Sequence, residues 1–197
     1  MRKNKFILGI ALVGALVVSS LANASMIYAT SVENIVVGTG QGTANDRDNI
    51  NNLFGAPDGQ FYELGIGGRV DLLFGSPSGQ LFSGNSFITE VTFGNPKNYP
   101  EAVDIYAGFN GNFTFLTTVL NSAAQSGFLF EVNIPANMLR LIDSTADLST
   151  RSKGGFDIDS IGVTFKEPAE VSAPATLGLL GLSLFGFAAA GRLRRSV

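Results

Sequence analysis

The stretch Phe87-Ile88-Thr89-Glu90-Val91-Thr92-Phe93 changes between apolar and polar side chains with a period close to two. Successive side chains of an extended strand point to opposite faces, so the run reads as a half-buried strand. Phe87, Val91 and Phe93 fall on the core side, and Glu90 and Thr92 face water. A helix would need apolar residues three and four apart, and no useful length of that period stands out beyond the two ends of the chain.

The same alternation recurs on both sides of this stretch. Phe113, Phe115 and Val119 alternate with Thr114 and Thr118; Phe128, Phe130, Val132 and Ile134 alternate with Glu131 and Asn133; Ile161, Val163 and Phe165 alternate with Ser160, Gly162 and Thr164. Further strands are expected over 34–37, 61–64, 69–74, 102–107 and 138–143. Turn chemistry separates them: Ala56-Pro57-Asp58-Gly59, Ser76-Pro77-Ser78-Gly79 and Asn110-Gly111-Asn112. Eight or nine short strands at this spacing predict an all-β domain, an antiparallel β-sandwich of jelly-roll type. Sixteen phenylalanines without a tryptophan suit a thin core between two sheets.

Composition removes several chemistries. The 197 residues contain no cysteine and no histidine, which excludes disulfides, thiol nucleophiles, His-ligated zinc and a Ser-His-Asp triad. Of thirteen cations, Arg2, Lys3, Lys5, Arg192, Arg194 and Arg195 stand at the ends. Between them seven cations face sixteen acids, a net charge of −9. So acidic a surface repels nucleic acid.

The two ends read as addresses. Arg2, Lys3 and Lys5 precede an apolar run, Phe6 to Val18, and Ala22-Asn23-Ala24 supplies the small-x-small pattern of a signal-peptidase site. Residues 1–24 are therefore expected to be a removed signal peptide; an uncleaved anchor, or a cut after Ala29, are the alternatives. The β-sandwich follows over 25–166, then a linker over 167–175 with Val171-Ser172-Ala173-Pro174, an apolar membrane segment over 176–191, and a basic tail over 192–197. At about 1.5 Å per residue that segment barely crosses a ~30 Å core, and the arginines would hold its end in the cytoplasm.

Val171, Ser172, Ala173 and Pro174, the glycine- and leucine-rich span, and Arg192, Arg194 and Arg195 resemble a PEP-CTERM sorting signal. The commoner Val-Pro-Glu-Pro is matched only at Val171 and Pro174. The resemblance implies processing near Pro174 by an exosortase, a transient stay in the inner membrane, and delivery to the cell surface or extracellular matrix of a Gram-negative bacterium. A second resemblance lies inside the domain. Gly55-Ala56-Pro57-Asp58, Leu64-Gly65-Ile66-Gly67-Gly68-Arg69, Ala102-Val103-Asp104-Ile105-Tyr106, Arg140-Leu141-Ile142-Asp143 and Gly155-Phe156-Asp157-Ile158-Asp159-Ser160-Ile161 look like galactose-binding-like, discoidin-type jelly rolls. That family's fold implies ligand loops at one end of the sandwich, often with a structural calcium.

Few residues offer chemistry. Asp157 and Asp159, two apart on a strand, share a side about 6.5–7 Å from one another. With Asp46 and Asp48 of the loop over 44–52 they form a candidate calcium set, because calcium takes oxygen ligands; the alternative is that the pair bonds to turn amides or to Arg140. Tyr99, in Asn98-Tyr99-Pro100-Glu101, could stack on a sugar ring or pack on the sandwich edge. Gly65, Gly67 and Gly68 lack the following Lys-Ser/Thr of a phosphate loop and read as a bulge or a close backbone approach. The expected function is a non-catalytic surface or matrix protein that binds exopolysaccharide or a matrix partner. The alternatives are a structural biofilm protein without a discrete ligand and a polysaccharide hydrolase acting through Asp157 and Asp159.

Overall fold

The computed structural model describes residues 25–75, 81–93, 95–121, 127–148 and 151–165. The expected signal peptide, the expected Ser76-Pro77-Ser78-Gly79 turn, the expected sorting motif, the apolar segment and the basic tail lie outside them. No helix among the described residues is long and apolar enough to cross a membrane.

Among the described residues nine strands form: β1 Ser25–Val36, β2 Tyr62–Glu63, β3 Arg69–Phe74, β4 Phe82–Glu90, β5 Ala102–Phe109, β6 Asn112–Leu120, β7 Phe128–Ala136, β8 Met138–Asp143 and β9 Asp157–Phe165; β1 begins well before the strand expected over 34–37 and β4 before the run that starts at Phe87. All pairings are antiparallel. The order is β6-β5-β8-β3-β1-β9-β4-β7, with β2 added to β9. β1 serves both sheets: its residues 25–28 pair with β9, and its residues 29–36 pair with β3. Register shifts after Ala29 and Val32 mark where it turns the corner. β7 lies against β5 and β6, which brings the two ends of the path together.

The core lies between the sheets. Val70, Leu72, Ile88, Val103, Ile105, Val132, Leu139, Leu141, Ile158, Ile161 and Val163 are sealed in it. Phe82 packs edge-on against Phe74 and Phe165, with centroids 5.0 and 5.8 Å apart. Asn110 and Gly111 both take positive φ, which makes the tight β5–β6 hairpin. Gly65, also at positive φ, lets the chain pass so close to Gly38 that a side-chain carbon there would lie 2.6 Å from backbone. This is the close approach expected of the glycine cluster.

Three face assignments need correcting. In β4 it is Ile88 that enters the core, and Glu90 is buried too, whereas Phe93 lies beyond the strand and is exposed. Phe87 instead lies beside Tyr28, at 5.8 Å, over Gly162, where β9 offers no side chain. A register shift between Thr89 and Glu90 further breaks the alternation. In β6, Ile105 pairs with Thr117 but Tyr106 pairs with Phe115, so Leu116 is an extra residue. This bulge leaves Val119 in the core and turns Phe115 outward beside Tyr106. In β9 the polar position Ser160 is fully buried and Thr164 partly so, whereas the alternation predicts that both face water. β7 follows its expected pattern, with Phe130 and Val132 in and Glu131 and Asn133 out.

Candidate functional site

The loops after β1, after β4 and before β9 meet at one end of the sandwich and enclose a cleft of about 980 Å³. One wall is built around Arg47. Its carbonyl accepts the Glu63 amide at 2.8 Å, and its Nε donates to the Ala44 carbonyl at 2.8 Å. The guanidinium lies 5.5 and 5.8 Å from the rings of Phe61 and Phe93, which themselves stand 5.2 Å apart. The opposite wall carries Tyr99, fixed by a turn in which Asn95 accepts the amides of Asn98 and Tyr99. Asn121 Nδ2 donates to the Tyr99 carbonyl at 3.0 Å. Phe93 and Tyr99 remain 55% and 41% exposed.

The acidic side chains lining the cleft are Glu63, Glu101 and Asp157. β2 pairs Glu63 directly with Asp157 across the ladder. Glu63 also accepts the Gly42 amide and lies 3.6 Å from Arg47. Glu101 accepts the Ser152 hydroxyl and Asn121 Nδ2. Asp157 is 5% exposed, and its Oδ1 has no hydrogen-bond partner. Burial pushes the Asp157 carboxyl up to about 9, helped by the charges of Glu101, Glu63 and Glu90 and opposed by Arg47. Burial also raises Glu101 to about 7; the Ser152 hydrogen bond opposes this, and Asp143 and Glu63 add to it.

The four carboxylates expected to share calcium are not brought together. Asp159 Oδ1 and Oδ2 accept the amides of Asp58 and Gly59, each at 3.1 Å, so it pins the Pro57-Asp58-Gly59 turn. Asp46 and Asp48 are exposed, and Asp46 accepts from Asn49 within its own loop. Asp157 faces the cleft. Among the described residues no group of three or more acids is arranged to hold a metal ion. The turn-amide alternative describes Asp159. Arg140 is engaged elsewhere, with Nε 2.7 Å from Asp71 and its guanidinium 3.5 Å from the Phe113 ring centroid.

Tyr99 lines the cleft and keeps its ring partly exposed. Reading the sequence missed Arg47, Glu63, Glu101 and Phe93 as its companions. Phe93 carried the one usable signal, an aromatic residue followed at once by Gly94-Asn95-Pro96. Ala22 and Ala24, Val171 to Pro174, and Arg192, Arg194 and Arg195 lie outside the described residues.

This architecture compares with known jelly rolls. The C-terminal domain of a chitobiase from Bacteroides fragilis matches with a TM-score of 0.50 at 10% identity, over 69% of this chain and 93% of that one. The family 32 carbohydrate-binding module from Streptococcus pneumoniae EndoD matches at 0.46 and 14% identity, covering 70% and 95%. The family 32 module from C. perfringens NanJ, solved in complex with galactose, gives 0.42 and 15%, covering 71% and 99%. At 10% identity the likeness to the chitobiase domain is one of fold. No family model and no curated protein matches the chain.

Proposed function

We propose that the chain is an exported, non-catalytic surface or matrix protein whose jelly roll binds carbohydrate in the Arg47–Tyr99 cleft. The observation that carries this is the pair of solvent-facing rings, Phe93 and Tyr99, beside charged and hydroxyl groups at the loop end of the sandwich. A sugar ring presents an apolar C–H face and a rim of hydroxyls. It calls for an aromatic surface with a few hydrogen-bonding groups around it. The signal peptide and the sorting segment would deliver the domain outward, with signal peptidase and an exosortase as processing partners. Asp159, committed to two turn amides, is a poor partner for Asp157 in acid–base hydrolysis.

The test is calorimetry on the full chain, solubilised in a detergent without a sugar headgroup, against a panel of exopolysaccharide oligosaccharides. Saturable binding is expected. Tyr99→Ala or Phe93→Ala should weaken it by roughly two- to tenfold each, the worth of about 0.5–1.5 kcal/mol per stacked ring. Both are exposed, so the unfolding temperature should stay unchanged. Binding that survives both changes would place the site elsewhere, and no binding to any glycan would favour a purely structural matrix role.

A further inference from the structure

Three acids, Glu63, Glu101 and Asp157, and three cations, Arg47, Arg151 and Lys153, line the cleft. Asp157 stands at the start of β9, almost wholly buried, with one oxygen unpartnered. The groups acting on it from the packed elements are Glu63 of β2, Glu90 of β4, Glu101 ahead of β5, and Arg47. Arg47, the cation among them, is already shared between Glu63, the Ala44 carbonyl and two aromatic rings. Arg151 and Lys153 line the same cleft but are exposed. Burial is the main reason that Asp157 and Glu101 titrate high, and neighbouring acids add to it.

Resting on the reading of this cleft as a glycan site, we infer that Asp157 receives the ammonium group of an amino sugar in a cleft that Glu63 and Glu101 also line, so that the preferred glycan carries unacetylated amines. A divalent metal fits less well, since no three acids are gathered to ligate one. An ammonium asks for less: three N–H donors, one positive charge, and carboxylate oxygens within hydrogen-bond reach. Phe93 and Tyr99 would lie against the sugar ring that bears the amine, and an aromatic face also attracts a cation. A neutral sugar hydroxyl could satisfy one oxygen but would supply no counter-charge for an ionised Asp157.

The probes are fully deacetylated and fully acetylated chito-oligosaccharides of equal length. They are titrated into the full chain at about pH 6, where the sugar amine is protonated, in ~0.15 M salt to screen the acidic surface. The amine form should bind on the order of ten- to a hundredfold more tightly, the scale of a charge-assisted hydrogen bond. Its binding should displace a proton from Asp157, so the measured heat should depend on the ionisation enthalpy of the buffer. Asp157→Asn should erase both the preference and the proton release, so that the two oligomers bind alike. Glu101→Gln, a change at a less buried site, should reduce the preference and guards against misfolding of the first variant. Equal binding of the two oligomers overturns this inference and leaves the glycan reading intact. A preference that persists in Asp157→Asn overturns it as well, assigning the attraction to overall charge. Saturable calcium binding lost in Asp157→Asn would make the site a metal site instead. If neither oligomer nor any other glycan binds, the glycan reading falls and takes this inference with it.

Discussion

Asp143 and Asp157 are both buried acids of the same end of the sandwich, and they are used in opposite ways. Asp143 accepts the amides of Gly67, Thr145 and Phe156 and the Thr145 hydroxyl, so it ties the β2–β3 loop to the connection into β9. Asp157 keeps an oxygen without any partner. The difference has a pH signature. Asp157 titrates at 3.8 unfolded and about 9 folded, and Glu101 at 4.5 and about 7. Between those values the folded chain holds protons that the unfolded chain has released, so stability falls as pH rises. Both groups contribute between roughly pH 5 and 7 and Asp157 alone between roughly pH 7 and 9, at up to about 1.4 kcal/mol per pH unit for each proton. The unfolding temperature should therefore decline from pH 5 towards pH 9. Asp157→Asn, neutral throughout, should unfold at a higher temperature than the parent at about pH 8 and flatten the upper part of the curve. An unchanged slope in that variant would mean Asp157 is ionised when folded. The sequence displayed the Asp157–Asp159 pair but not which neighbours each would meet, because Asp58, Glu63 and Glu101 reach β9 only through tertiary packing.

Strands were legible because alternation is a local property; which face turns inward was less so. β3 and β8 begin and end where their sequences predict, and β7 shows its alternation unbroken. In β6 a single extra residue, Leu116, puts Val119 in the core and Phe115 outside, although the period suggests one shared face. A bulge leaves no mark in composition, and period-two reasoning carries its error past it. In β4 the bare backbone of Gly162 on the neighbouring strand draws Phe87 to the outer face, a pairing partner that no local pattern announces. Truncation separates the two kinds of phenylalanine. Phe82→Ala, which empties the middle of the Phe74–Phe82–Phe165 stack, should cost about 3–5 kcal/mol in chemical denaturation. Phe115→Ala, at 52% exposure, should cost less than about 1 kcal/mol. Comparable losses would place Phe115 back in the core.

For the whole molecule, the jelly roll and its loop end follow from strand count and turn chemistry, while the cleft depends on three loops that converge only in the folded chain. The topology also bears on processing. A cut after Ala24 would free Ser25, the first residue of β1. A cut after Ala29 would remove Ile27 and Tyr28, the partners of Val163 and Gly162, together with the Tyr28 ring on Phe87. Mass spectrometry of the exported protein should find Ser25 at its N-terminus, and a chain beginning at Thr30 would overturn this. At the other side of the domain Ser25 pairs with Phe165, so the first and last described residues lie at one pole, roughly 27 Å along β9 from Asp157 in the cleft. Tension between the two ends would meet the β1–β9 ladder one rung at a time, as a zipper is opened, instead of shearing all its rungs together. A pull between Ser25 and Phe165 thus loads the weakest direction of the domain first.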